Sequence, residues 1–500
     1  MTFFRKLFTS RPLPAWSWIP LAVAVILLLS SAFVGLTDDE AYYWVLAQKP
    51  ALGYAYHPPM VAWVIAFSQF LFGWIFGAAS TWVVRIPSCF TIGLVFFIAL
   101  KWINPNRENY LKPALILASF AGLVGLGWMM VPDEPLFLGW MICFYACHKI
   151  AQDEAKEKYF WFLALGIFVA MLSKFSGVFV FFSAIVSVAL CGGRSRLLKT
   201  ILYASLGMIL ALIPICIWNS RHEWSAILYQ IKERHADSDV SLKRYLRFWL
   251  IELFAAGPVL VFFTLSGFFR GLRFKSGAVE RFVAIWILPA AAVYCVQPLF
   301  SDFKPHWAFI VWWPGALLLA LKVSQGKVRF ATAQICYGLT IVTIVLFSLD
   351  VPIMGALINR FGHFNSDQDP RLFDVTNDLY GWRKLGAEIS QLSKEDRELV
   401  VVGSRYQTAS QAAFALGSLD RATLLPRDLR SRDEWPDLQI SEKLGPEWPK
   451  LLKPVLFVTD NRFDAGPEFP QAKCAKLHEV SEERWGMSAK SIWIWKCTNE

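Results

Sequence analysis

The feature that most constrains this chain is a succession of long apolar runs, separated by short basic clusters, from Trp16 to Leu349. About 20 apolar residues are enough to cross a hydrocarbon core as a helix. In lipid, only a helix or a closed barrel satisfies every backbone N–H and C=O. The chain is therefore read as helices packed in a membrane. Its balance agrees: 56% of residues are hydrophobic and only 18% charged, against about 25% in soluble domains. The net charge of +10 is not gathered on one face or tail, so no nucleic-acid partner is expected. The basic residues lie between apolar runs, as orientation signals do. Trp16 to Leu36 is long enough to span and lacks a small-residue cleavage site, which argues against a cleavable leader.

The basic clusters set a provisional topology. Lys6 and Arg11 precede the first run and place the N-terminus in the cytoplasm. The acidic stretch that follows is then on the outer face. Met60 to Gly77 is broken by Ser68, Gln69 and Gly73 and has no basic residue at its far end, so it is expected to lie in the outer interface. Trp82 to Ile103 is the second span and ends at Lys101, Arg107 and Lys112. Pro113 to Met130 runs outward as a single span, which puts Val131-Pro132-Asp133-Glu134-Pro135 on the acidic face. Leu136 to Ile150 returns to the charged segment Gln152 to Lys158. Tyr159 to Leu190 is too long for one span and is read as two short helices with Ser173-Lys174 at their outer turn. Thr200–Trp218, Tyr245–Phe269, Phe282–Leu299, Trp307–Leu321 and Ala331–Leu349 continue the alternation, with Arg270, Arg273 and Lys275, then Lys322, Lys327 and Arg329, inside. The tally is roughly eleven spans.

After Asp350 the chain turns polar, with strand-like runs at Leu399–Val402, Val455–Thr459 and Ser491–Trp495. The expected fold is an all-α polytopic membrane domain over 1–350, followed by a small α/β domain outside the membrane over 351–500. Most of the nine cysteines are scattered through apolar runs, and no CxxC or HxxxH zinc spacing occurs. Cys474 and Cys497 stand in the outer domain. In an oxidising compartment they pair and tie down the last strand; otherwise they are two buried thiols.

The chemistry is concentrated in Thr37–Pro59, TDDEAYYWVLAQKPALGYAYHPP. Three acids, Asp38, Asp39 and Glu40, open it, tyrosines and a tryptophan follow, and His57-Pro58-Pro59 closes it. It reads as a catalytic outer loop. One carboxylate suffices to cap a helix starting near Ala41. Capping does not explain the second acidic loop, Asp133-Glu134, on the same face. Two acids from separate loops can converge on a hydroxyl, one taking its proton and the other orienting it. Asp38 is the most ordinary of the group. Arg85 at the end of its span, Lys174 inside an apolar stretch, and Lys304 and His306 in Ser301-Asp302-Phe303-Lys304-Pro305-His306 supply cations. Snorkelling to the interface accounts for any one of them, yet a phosphate leaving group needs such cations. His57 is read first as structural, and His222, Gln230 and Arg234 as outer-loop residues near substrate. These residues fit an enzyme acting on a lipid phosphate, and also a transporter or flippase. A transporter usually places its charges near the midplane within repeated halves, and no internal repeat is present.

Asp39-Glu40-Ala41-Tyr42-Tyr43-Trp44, Gly53-Tyr54, His57-Pro58-Pro59 and Arg85-Ile86-Pro87 resemble the bacterial branch of the dolichyl-phosphate-mannose–protein mannosyltransferase family. These are lipid-carrier-dependent GT-C glycosyltransferases, related more distantly to the aminoarabinose transferase that modifies lipid A. Pro132-Asp133-Glu134-Pro135-Leu136, Ser173-Lys174-Phe175, Ile217-Trp218-Asn219 and Pro305-His306-Trp307 extend the resemblance over most of residues 30–320. Tyr406 to Phe414 is similar to a segment of the family's outer domain. The resemblance implies a polyprenyl-phosphate sugar as donor and a glycolipid such as lipopolysaccharide, or a protein, as acceptor. It implies an inner-membrane enzyme with its C-terminal domain in the periplasm. Asp39 would be the general base, with Glu40 and Asp133 positioning acceptor and donor and Arg85 and Lys174 holding the lipid phosphate. His57, Lys304 and His306 join as substrate-binding candidates. No cofactor and no metal site are expected, and no nucleotide-binding GxGxxG or P-loop is present. Glu134 departs from the family's second acidic loop, where a small residue is common.

Overall fold

The computed structural model describes residues 14–31, 34–152, 156–233, 239–273, 276–301, 304–326, 330–361, 369–395, 399–425, 435, 454–463 and 472–499. Lys6, Arg11, Arg234, Lys275, Asp302, Phe303, Lys327 and Arg329 lie outside the described residues. The described residues as far as Asp350 are mostly helical. Among the described residues, five are long and apolar enough to cross a membrane: Thr81–Ile103, Arg194–Arg221, Ala278–Leu299, His306–Ser324 and Ala331–Asp350. Two bent pairs bring the number to seven. This is fewer than the roughly eleven expected, because some of the expected spans fold as shorter apolar helices, such as Ile19–Ser31 and Phe175–Cys191.

The two bent pairs correct two expected straight spans. Pro113–Met130 folds as Leu111–Ala118 and Ala121–Trp128, bent by 70°. Tyr245–Phe269 folds as Leu242–Ala256 and Pro258–Gly271, bent by 105°. The second break is written in Gly257-Pro258. Gly257 takes φ 89°, which suits glycine alone, and Pro258 opens the next helix without needing an N–H partner. Buried Gln334 repairs the backbone at that break, accepting from Leu260 N (3.1 Å) and donating to Ala256 O (3.3 Å). It also reaches Ser119 Oγ at the other break. A broken helix at membrane depth survives only where such partners exist. The expected break at Lys174 is present, between Glu157–Ser173 and Val178–Cys191.

Thr37–Pro59 is not a simple loop. Its first half is a helix, Asp38–Gln48, and Met60–Phe76 follows. Phe70 and Trp74, 80% and 81% exposed, form an outward aromatic face suited to lipid or an interface.

Five strands, β1 (Val400–Gly403), β2 (Ala422–Leu424), β3 (Val455–Asp460), β4 (Ala472–Arg484) and β5 (Met487–Asn499), form one sheet in the order β2-β1-β3-β5-β4. β2, β1 and β3 are parallel, and β5 and β4 add to them antiparallel. The helix Tyr406–Leu416 links β1 to β2 and packs on the acidic helix Asp38–Gln48. One buried apolar cluster spans both, with Tyr42, Tyr43 and Trp44 against Ala409 and Ala413. Trp44 meets Phe414 edge-on at 5.2 Å.

Cys474 and Cys497 are cross-strand partners and form a disulfide, with Cα atoms 4.1 Å apart. The other seven cysteines are free thiols. Alkylation of the denatured, unreduced protein should therefore label seven thiols, and nine after reduction. Cys497→Ser should destabilise the sheet by about 3 kcal/mol, measured by denaturant unfolding of the outer domain.

Candidate active site

The acidic helix begins at Thr37. Its Oγ1 accepts from Glu40 N (3.2 Å), while Glu40 Oε2 accepts from Thr37 N (3.0 Å), a reciprocal capping box. Glu40 then reaches further. Arg85 donates to it through Nε (2.8 Å) and Nη2 (2.7 Å), and Met130 N donates to Oε1 (3.1 Å). Arg85 also donates to the carbonyls of Ser31, Val34 and Gly35. Both side chains are buried, so the pair is matched at every lone pair and N–H the carboxylate and guanidinium present. Arg85 has no donor left for a lipid phosphate, and Glu40 none of its oxygens for an acceptor. In this geometry the pair serves the fold, and through Met130 it ties the second acidic segment to the first.

That segment begins the helix Asp133–Ala151. Glu134 is buried and accepts from Val131 N (2.7 Å), bracing its own turn. Asp133 is the member that faces the site. Lys174 Nζ lies 2.8 and 3.0 Å from its two oxygens and sits 4.9 Å from the Trp307 ring centroid. His306 Nε2 is 3.9 Å from Asp133 Oδ2. Two residues earlier, Lys304 Nζ is 3.8 Å from Asp39 Oδ2. The expected acids and cations from four separate segments thus come together, apart from Glu40 and Arg85. Burial first, then the charges of Asp39, Tyr406 and Asp133, push the Tyr43 hydroxyl well above its ordinary pKa. It remains a proton donor under the field of both acids.

Beside Lys174 lies a cavity of about 190 Å³, lined by His57, Lys174, Gln230, Gln297, Phe179 and Trp307 among others. His57 and Gln230 therefore reach the site, and Gln230 donates to Tyr56 O (3.1 Å). His222 does not line this cavity: it stacks on Trp218 at 4.0 Å. Among the described residues, no three His, Cys, Asp or Glu side chains form a group that could hold a metal ion.

Sequence reasoning missed the contribution of the outer domain. Asp38, expected to be ordinary, is its docking point: it pairs with Arg462 Nη1 and accepts from Gln411 Nε2 (3.2 Å). Arg462 is held in turn by Asp460 (2.6 Å) and Asp378 (3.1 Å). Tyr406 donates to Asp39 Oδ1 (3.2 Å). The contacts of Asp38 and Asp39 with this domain join residues more than 360 positions apart, beyond any spacing argument; the one available signal was the family-like segment at Tyr406.

The family model described as dolichyl-phosphate-mannose-protein mannosyltransferase matches residues 56–218, a stretch holding Arg85, Asp133 and Lys174. Lipid A galacturonosyltransferase RgtD of Rhizobium johnstonii (strain DSM 114642 / LMG 32736 / 3841) is 22% identical over 341 residues, 65% of this chain and 69% of that protein. ArnT from Cupriavidus metallidurans bound to undecaprenyl phosphate superimposes with a TM-score of 0.60 at 14% identity, over 96% of this chain and 98% of that one. The fold is that of ArnT. The apo form of the same ArnT gives a TM-score of 0.59 at 13% identity, over 96% and 97% of the two chains. The resemblance to the mannosyltransferase family read from the motifs is thus borne out by the matching family model, and the fold matches that of ArnT.

Two predictions follow from the charge pairs. Removing one partner of the buried pair, as in Arg85→Ala, should cost about 3–5 kcal/mol, seen as a lower melting temperature in detergent rather than a raised donor KM alone. Asp460, buried but dominated by Arg462 and Lys490, is held below its ordinary value of 3.8. As pH falls, the unfolded chain protonates this carboxyl before the folded one does. Its stabilisation is full above about pH 5 and is lost as pH falls through the folded value. Proteolysis of the outer domain should accelerate across that window, and Asp460→Asn should flatten the acid dependence.

Proposed function

We propose that the chain is an integral membrane glycosyltransferase that moves a single sugar from a polyprenyl-phosphate donor to an extracytoplasmic acceptor. The convergence of Asp39 with the Asp133–Lys174 pair, Lys304 and His306 beside one cavity carries this reading. A flippase has no use for a base and a phosphate site held side by side. The acidic helix and the sheet domain stand on the periplasmic side of the inner membrane, with the N-terminus in the cytoplasm.

In this reading Asp39 takes the proton from an acceptor hydroxyl as that oxygen attacks the anomeric carbon. The bond from that carbon to the phosphate oxygen breaks, and its electrons leave with the lipid phosphate. Attack opposite the leaving group inverts the anomeric configuration. Lys174, aimed by Asp133 and flanked by Trp307, stabilises the charge that develops on the phosphate, with His306 behind it. Lys304 stands on the Asp39 side and draws the anionic donor toward the site. The phosphate itself supplies the activation, so no cofactor is required. Trp307, Phe179 and Tyr294 offer ring faces for the sugar or the first isoprene unit, and Gln230 and Gln297 offer amides for its hydroxyls. Chemistry of this kind acts on an envelope glycolipid such as lipid A, as the name of the similar RgtD indicates for that protein, with protein as the second acceptor class.

Asp39→Asn should lower product formation by at least about a hundredfold, the lower range for a lost general base, while donor lipid still binds. Lys174→Met should lower kcat by about 10²-fold. Both are read by mass spectrometry of envelope lipids from a deletion strain complemented with each variant. A one-sugar mass gain restored by wild type alone supports the transferase. Full modification by Asp39→Asn refutes it, and a whole-glycan increment points to a block ligase.

A further inference from the structure

We propose that Tyr406, carried by the outer domain, is a positioning residue that aims the Asp39 carboxylate, so that the sheet domain is a working part of the catalytic site rather than a cover. The proposal rests on the reading of Asp39 as the base.

The sheet places Tyr406 with little freedom. In open α/β sheets, functional groups gather beyond the carboxyl ends of parallel strands. β1 ends at Gly403 and Tyr406 opens the next helix; its parallel neighbour β3 ends at Asp460, two residues before Arg462. The turn after β1 is tight: a Cβ at Gly403 would lie 2.2 Å from Ala409 N, so the helix starts hard against the strand. From these two strand ends the domain touches adjacent acids of one helical turn. Arg462 takes Asp38, and Tyr406 takes Asp39. Gln411, one turn and a half along the same helix, fastens Leu36 O (3.0 Å) and Asp38 Oδ1 (3.2 Å). The Tyr406 ring packs on Tyr42 at 5.1 Å, which holds its hydroxyl oxygen in place.

The two oxygens of Asp39 then differ. Oδ1 accepts from Tyr406, while Oδ2 faces Lys304. The remaining charges around Asp39 are accounted for: Asp38 is neutralised by Arg462, Glu40 by Arg85, and Asp133 by Lys174. Tyr43 lies in the field of both Asp39 and Asp133. Oδ2 is therefore the oxygen presented to an acceptor hydroxyl. Burial, followed by the charges of Asp39 and Asp38, pushes the Tyr406 hydroxyl far above the usual phenol range, so it stays a donor at every pH where the enzyme works.

The test uses the full chain in membranes, with the polyprenyl-phosphate-sugar pool and unmodified glycolipid extracted from a deletion strain as substrates. Tyr406→Phe keeps the ring and removes the donor. It should lower kcat about tenfold, leave donor KM within about twofold, and move the acid limb of kcat/KM up by about one pH unit. Site-specific 3-fluorotyrosine at 406, a stronger donor of nearly native shape, should move that limb down. Gln411→Ala, which loosens docking but spares the Tyr406 bond, should lower thermal stability without moving the limb. An unmoved acid limb in both 406 variants, or an equal shift in Gln411→Ala, overturns the proposal. Full turnover by Asp39→Asn instead refutes the reading of Asp39 as the base, which separates the two failures.

Discussion

The buried Glu40–Arg85 pair is the joint on which the rest of the structure depends. Isolated, either charge would cost several kcal/mol at this depth. Here the guanidinium meets a carboxylate and three backbone carbonyls, and the carboxylate also closes a capping box and accepts from Met130 N. One interaction thereby fixes the start of the acidic helix, the end of Ile19–Ser31, the span Thr81–Ile103 and the segment leading to Asp133. Asp39 and Asp133 meet Lys304 and His306 of one short segment while Glu40, the neighbour of Asp39 in sequence, is spent on structure.

A division of labour among adjacent acids follows. In each acidic segment one carboxylate braces the fold and another meets a lysine: Glu40 braces and Asp39 meets Lys304 in the first, Glu134 braces and Asp133 meets Lys174 in the second. Asp38 adds a third role, since its pairing with Arg462 brings the sheet onto the membrane part. A catalytic carboxylate is useful only in a fixed direction, and fixing it takes groups not themselves in the reaction. Neighbouring acids on one helical turn provide this, because they point to different sides of the helix.

Much of this was legible in the sequence, for physical reasons. Apolar runs report membrane helices because lipid leaves the backbone few alternatives, and Lys174 inside such a run marked both a break and a cation that pairs with Asp133. Asp39 and Asp133 stood out as acids that packing alone does not explain. The pairing of Glu40 with Arg85 was not legible, because charge type does not reveal whether a side chain turns toward a cavity or a neighbour. The bends at Gly257 and after Ala118 were hidden within runs of sufficient length, since hydropathy does not register a buried Gln334 that satisfies a broken backbone. β2 and β4 escaped notice because one is three residues long and the other mostly polar on an exposed edge. Tyr406, Gln411 and Arg462 reach the site only through tertiary packing.

The central claim is that the lipid phosphate is gripped at Lys174, beside Asp133 and His306, with Asp39 across the same cavity. Cryo-electron microscopy of the full chain with undecaprenyl phosphate tests it most directly. The account predicts phosphate density in contact with Lys174 Nζ, at the cavity lined by His57, Gln230 and Trp307, and an intact Glu40–Arg85 pair. Phosphate bound instead to Arg85, or at the far end of the bundle near Arg194 and Lys199, would contradict it.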